Sequence, residues 1–151
     1  MKSKVTLRPA VSADYDFLYD LHRQTLKRAI QETWGWDEAW QRAHFQQHFD
    51  LTGKNIIQQN GRDIGCLKVL DEGDHIFLSY IAITPEFQNR GIGTRLIREV
   101  LAKGGRSGKP VTLKVLKNNP ARVLYERLGF VITKSTDTHY LMEAEPSHGQ
   151  N

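Results

Sequence analysis

Three groups of residues in this chain have the types and spacing to do chemistry. The first is Gln88-Asn89-Arg90-Gly91-Ile92-Gly93-Thr94, which runs into an apolar stripe at Leu96, Ile97, Val100 and Leu101 and so puts a glycine turn before a helix. Unpaired backbone N–H groups at the positive end of a helix bind anions, and Gly91 and Gly93 allow close approach. The same spacing serves a plain strand-to-helix turn. It is not the dinucleotide fingerprint, because Leu96 stands at the third glycine position. Residues 104–110 fail as a nucleotide P-loop, because Pro110 replaces the required Ser or Thr. The second group is Tyr125, on a stripe with Ala121, Leu124 and Leu128. A phenol with a pKa of about 10 can donate a proton, although the stripe alone reads as core packing. The third is Glu32, Trp34, Trp36, Asp37, Glu38 and Trp40, which either offers aromatic faces and carboxylates to a cation or staples helices to a sheet.

Other reactive residues carry less. His44 and His48 share a helical face at metal-ligand spacing, but with no third ligand or H-E-x-x-H motif no metal is expected. Cys66 alternates with apolar neighbours and reads as core. His139, beside Tyr140, is a minor base candidate.

The elements that must position these residues follow from periodicity and turn chemistry. Residues 5–8 read as a strand, and Ser12 caps a helix with Asp14 and Asp16 in its first turn. That helix ends at Trp34-Gly35-Trp36, and Asp37 caps a second one reaching about Phe49. Two strands flank Asn60-Gly61, a favoured hairpin turn, and a third spans residues 75–84, making an antiparallel run. The helix after the glycine turn stops at Gly104-Gly105, and residues 111–116 form a strand parallel to the one before the turn. Asn119 and Pro120 open a further helix that Gly129 closes, and residues 130–136 and 139–142 make a final hairpin. Residues 1–145 are expected to form one domain of mixed α/β class, with a disordered tail at 146–151.

Composition sets the partners. Of the 151 residues 39% are hydrophobic and 25% charged, which excludes a disordered chain, and no apolar run is long enough to span a membrane. With no signal peptide and a single cysteine, a cytoplasmic protein is expected. The net charge of +4 is unevenly spread. Residues 88–127 hold ten bases against two acids, a net +8; the rest holds eleven against fifteen, a net −4. A polyanionic ligand is expected on the basic third: a nucleotide, a nucleic acid or an acidic protein.

Two separated motifs give the ligand a name by resemblance. Gln88-Asn89-Arg90-Gly91-Ile92-Gly93, after Tyr80-Ile81-Ala82-Ile83, resembles the Q/R-x-x-G-x-G/A signature of the GCN5-related N-acetyltransferases. Asn118-Asn119-Pro120-Ala121, leading to Leu124-Tyr125-Glu126-Arg127-Leu128-Gly129-Phe130, is similar to that family's second motif. The resemblance covers most of the chain and implies the family's fold, with acetyl-CoA as co-substrate and no metal or nucleic acid. It implies that residues 88–94 hold the pyrophosphate through backbone N–H groups. It also implies a bulged strand at Ile81, Ala82 and Ile83 that splays from its parallel neighbour, pairs with pantetheine and polarises the thioester through a backbone N–H. Tyr125 would be the general acid toward the thiolate, and Asn118 a hydrogen-bonding partner of the cofactor.

The family's bases do not carry over. Relatives with a Glu or His on the strand before the loop have Phe77 and Ser79 as counterparts here, and the Glu of ribosomal-protein acetyltransferases is matched by Leu113. Water relayed by backbone carbonyls, or Glu32, Asp37 or Glu38, would serve instead. By the same resemblance Trp34, Trp36, Trp40 and Tyr140 wall the acceptor site. The expected activity is direct acetyl transfer, in a ternary complex, to a small-molecule amine or short peptide. The alternatives are a protein N-terminus or lysine as acceptor, or a CoA-binding module without turnover. Homodimers are common in the family, and no residue here specifies one.

Overall fold

The computed structural model describes residues 4–146, so the expected tail lies, apart from Pro146, outside them. The strands are β1 (Val5–Pro9), β2 (Lys54–Gln59), β3 (Arg62–Asp71), β4 (Ile76–Ile83), β5 (Val111–Leu116), β6 (Val131–Ser135) and β7 (His139–Ala144). The helices are α1 (Tyr15–Trp34), α2 (Glu38–Gln47), α3 (Ile92–Ser107) and α4 (Ala121–Arg127). The fold is mixed α/β, its sheet mostly antiparallel in the order β1-β2-β3-β4-β5-β7-β6. By contacts the chain divides into two compact units, one of residues up to Lys68 with Tyr80–Asn89, the other of Val69–Ser79 with residues from Arg90 onward.

In the first unit, β1 pairs antiparallel with β2, and β2 with β3 through Asn60-Gly61, whose φ values of 51° and 83° match the expected hairpin turn. Its core gathers Ala10, Leu18, Leu21, Ile56, Cys66 and Ala82, flanked by Phe17, Phe45, Phe49, Leu51 and Tyr80. Gly35, at φ 83°, ends α1, and the Asp37 carboxylate caps α2 by accepting from the Trp40 N–H at 3.0 Å. Helix α2 stops at Gln47, short of Phe49. The start of α1 departs from expectation: Ser12–Asp14 form a 3-10 turn and Ser12 caps nothing. Asp14 is drawn away from the helix end because Arg8 binds both its carboxylate oxygens, at 2.8 and 3.0 Å, and Val11 N–H adds a third bond at 2.8 Å.

In the second unit, β4 runs parallel to β5, and β7 lies antiparallel between β5 and β6. Helix α3 does not stop at Gly104-Gly105 but continues to Ser107, with Gly108 as its left-handed cap at φ 66°. Gly104 is there for space rather than termination: a Cβ would stand 2.7 Å from the Lys109 carbonyl oxygen and 3.0 Å from Val111. At α4 the Asn119 side chain accepts from the Ala121 N–H at 2.9 Å, so it does the capping although the helix begins one residue later than expected. Gly129 follows at φ 105°. No helix among the described residues is long and apolar enough to cross a membrane.

Candidate functional site

The glycine turn delivers the chain into α3 with no side chain capping the helix start. After β4, Pro85–Phe87 form a 3-10 turn, and the Gln88 amide donates to the Ile83 carbonyl at 2.8 Å, tying the turn back to the strand. Asn89 and Gly91 are both left-handed, at φ 63° and 82°. Gly91 is the N-cap of α3; no side chain caps that end and its first turn carries no acid. The Gln88 N–H is taken by the Pro85 carbonyl at 3.2 Å, and within α3 the first N–H to bond back is that of Arg95, to the Gly91 carbonyl at 3.0 Å. The backbone N–H groups of the first turn of α3, with the positive end of a sixteen-residue helix, make an anion cradle. A Cβ on Gly91 would meet nothing within 4 Å, so glycine is needed for its positive φ, and the space beside it is open to a ligand.

The strand ahead of the turn pairs with β5 over a short stretch. Among the described residues the β4–β5 ladder consists of Ile76↔Val111 and Phe77↔Thr112. Beyond it Leu78 and Ser79 have no partner on β5, whose other edge pairs with β7 along its whole length. Alternation of buried and half-buried positions holds from Ile76 to Ser79 and breaks over Tyr80, Ile81, Ala82 and Ile83.

Tyr125 is buried in the second unit, edge-on to Phe130 with ring centroids 6.0 Å apart. Burial alone pushes its phenol up to about 12, and its hydroxyl bonds to no described side chain. Asn118 is exposed at the mouth of α4.

The aromatic group near α2 splits. Trp34 and Trp40 are 60% and 57% exposed, so neither staples a helix to the sheet. Trp36 is half-buried beside His22 and donates to Glu38 at 2.9 Å. Glu38 also accepts from Tyr19 at 2.9 Å and Arg42 at 3.1 Å, which holds its carboxyl below the usual range and makes it a weak base. Asp37 is committed to its cap and Glu32 to Arg28 at 3.4 Å. These residues lie in the first unit, whereas Tyr140 lies in the second with Lys117 and Arg122 each 5.3 Å from its ring. Trp40, His44 and His48 form a ring stack, and no cluster of three metal-binding side chains exists among the described residues.

Of the three positions that the resemblance matches to a relative's base, two come together and Ser79 does not join them. Phe77 and Leu113 both line a groove of about 470 Å³ in the second unit, together with His75, Leu141 and Glu143. Sequence reasoning passed over Glu143 and His75. The signal for Glu143 was the continued alternation Tyr140, Met142, Ala144 against Leu141 and Glu143, which extends the strand past Met142.

A family model described as an acetyltransferase (GNAT) domain matches residues 52–132. No curated protein matches the sequence. Among solved structures the chain is similar to the PaiA N-acetyltransferase from Thermoplasma acidophilum in complex with coenzyme A, with a TM-score of 0.73 and 16% identity over 94% of this chain and 99% of that one. It is also similar to the ribosomal-protein-S18-alanine N-acetyltransferase from Escherichia coli, at 0.67 and 20% over 98% of each chain. A third is Ard1 from Thermoplasma volcanium, at 0.67 and 19% over 95% and 99%. At these identities the likeness shows a shared fold, while the family model takes in β4, the glycine turn, α3, β5 and α4; the chain belongs to the GNAT acetyltransferase family.

Proposed function

We propose that this acetyltransferase moves an acetyl group from acetyl-CoA to a primary amine of a small molecule or short peptide, by direct transfer in a ternary complex. The observation that carries the reading is the uncapped, acid-free start of α3 behind two left-handed residues, Asn89 and Gly91. Of residues 88–94, those after Gln88, whose N–H is taken by the Pro85 carbonyl, would hold the pyrophosphate by backbone N–H groups, and the net +8 of residues 88–127 complements the remaining phosphate charge rather than a nucleic acid. A backbone N–H among Ile81, Ala82 and Ile83 would polarise the thioester carbonyl, where one such donor is worth roughly 3–4 kcal/mol.

Tyr125 would be the general acid toward the thiolate. Burial pushes its phenol up to about 12, so it stays protonated at neutral pH, and a thiolate departing beside it is raised by the same loss of solvent. The hydroxyl donates a hydrogen bond to the departing sulfur, stabilising its developing charge as the proton moves toward it. A thiol-release screen of amines, polyamines, aminoglycosides, amino acids and peptides, run beside acetyl-CoA calorimetry, tests the proposal. Turnover with any primary amine supports it; acetyl-CoA binding with no turnover across the panel leaves a CoA-binding module.

A further inference from the structure

Lys54 is an amine that the fold sets apart and that the transfer chemistry above does not use. Its backbone is fixed on both sides: the N–H donates to the Leu51 carbonyl and the carbonyl accepts from the Ala10 N–H, each at 3.0 Å. Across the β2–β3 ladder Lys54 pairs with Lys68, and Ile56, two residues on, pairs with Cys66. Residues two apart on a strand share a face, so Lys54 stands on the face of β2 whose Ile56 and Cys66 belong to the core of the first unit. There its ammonium lies over the Phe49 ring, 5.3 Å from the centroid, on a half-buried side chain.

The groups around that ammonium compensate it poorly. In the loop after α2, Asp50 is engaged by Lys68 at 3.6 Å and by the Thr52 N–H and hydroxyl at 3.1 and 2.9 Å. Lys54 itself forms no ion pair among the described residues. From β3, Lys68 sets a like charge directly opposite, which is unfavourable across a ladder. Burial pushes the Cys66 thiol up to about 11, so it carries no charge to hold the ammonium. From α1, burial keeps the His22 ring below its usual range, so it is neutral near pH 7. Desolvation first, and Lys68 after it, favour the free amine of Lys54 over its ammonium. A lysine that is desolvated and set beside another cation is an activated nucleophile.

We propose that Lys54 is an acylation site of this chain, its amine taking an acyl group from an activated donor, a thioester or an acyl phosphate. The free amine attacks the acyl carbon, and the C–N bond forms as the bond to sulfur or to the phosphate oxygen breaks. The leaving group departs with the electron pair, and the surplus proton on nitrogen passes to solvent. The product amide is neutral, so acylation breaks no ion pair and relieves the repulsion with Lys68. The proposal does not depend on the acceptor reading above, because an acyl phosphate reacts whether or not acetyl-CoA is bound.

The test is acetylation of the folded full chain near neutral pH by acetyl phosphate and, in a separate arm, by acetyl-CoA, with the rate at each lysine read by peptide mass spectrometry. Lys54 reacts at least about threefold faster than Lys134, which is exposed on β6, in one arm or both, and the arm tells which donor class feeds the site. In concentrated urea, where Phe49 and Lys68 no longer face it, the preference vanishes. The neighbours act with opposite signs: Asp50→Asn raises the Lys54 rate and Lys68→Gln lowers it, each by about twofold or more, while Lys134 keeps its rate. A Lys54 no faster than Lys134 in either arm, a preference that survives urea, or a rate indifferent to both substitutions overturns the proposal.

Discussion

Replacing Gly65 with alanine tests whether the backbone of β4 sets the reaction geometry. Gly65 is buried in β3 opposite Ile57, with no positive φ to explain it. A Cβ there would overlap the Ala82 carbonyl oxygen and come within 3.2 Å of both the Ile83 Cα and the Ile57 Cδ1. Ile57 can turn its side chain aside, but the other two atoms are backbone of the segment proposed to meet the thioester. Restoring ordinary contact requires β4 to move by on the order of 1 Å. Such overpacking costs ~1–3 kcal/mol, and at about 2–4 °C per kcal/mol in a chain of this size Tm falls by roughly 2–12 °C. The catalytic effect is larger, because a misplacement of about 1 Å costs on the order of 100-fold in rate. Thermal unfolding by circular dichroism and thiol release well below the melting range separate the two. A Gly65→Ala protein with lowered Tm and wild-type turnover would show that residues 81–83 do not set the transfer geometry. Wild-type Tm and turnover together would refute the packing argument itself.

Two other perturbations follow from the structure. Tyr125→Phe lowers kcat by roughly 10- to 100-fold, the worth of one hydrogen bond to a developing charge. Because the phenol is pushed up to about 12, the wild-type rate carries no limb from Tyr125 between pH ~7 and ~10, and a limb near 10 that vanished in the variant would contradict the assignment. Asp14→Asn removes one of the two carboxylate partners of a half-buried Arg8, leaving Asp63 at 3.0 Å, and costs roughly 1–2 kcal/mol in urea unfolding at neutral pH. Arg8 holds the Asp14 carboxyl below its usual range, so this stabilisation is present above the unfolded pKa and is lost as pH falls through the folded one. The variant therefore has a flatter acid limb than the wild type, and parallel limbs would disprove the linkage.

What was legible in the sequence was whatever a local cause decides. Asn60-Gly61, Asp37, Gly35 and Gly129 each act through the conformation of a few neighbouring residues, and each sits where its chemistry placed it. The glycine turn and the parallel β5 were likewise readable, because strand, turn and helix are contiguous. Distant partners decided the remainder. Gly104 reads as a helix stop until β5 and the Lys109 carbonyl are seen against it. Ser12 reads as a cap until Arg8 claims Asp14 and turns the helix start into a 3-10 turn. Tyr19, 1% exposed and bonded to Glu38, was passed over because its partner lies nineteen residues on, on α2. The groove was invisible for the same reason. Its residues come from β4, β5 and β7, and ending the last strand at Met142 left Glu143 without a face.

Acetyl transfer by this chain requires the turn into α3 to hold the phosphates of acetyl-CoA, and the direct test is calorimetric titration of acetyl-CoA into Gly91→Ala beside a matched control. Gly73→Ala is that control: its φ is 97° and, as at Gly91, a Cβ would meet nothing within 4 Å. Both variants carry a similar left-handed strain of about 1–2 kcal/mol. Only at Gly91 would the added methyl stand in the path of the anion. The predicted result is comparable loss of stability in both, with acetyl-CoA affinity reduced at least about tenfold in Gly91→Ala and unchanged in Gly73→Ala. Wild-type affinity in Gly91→Ala would contradict the cradle.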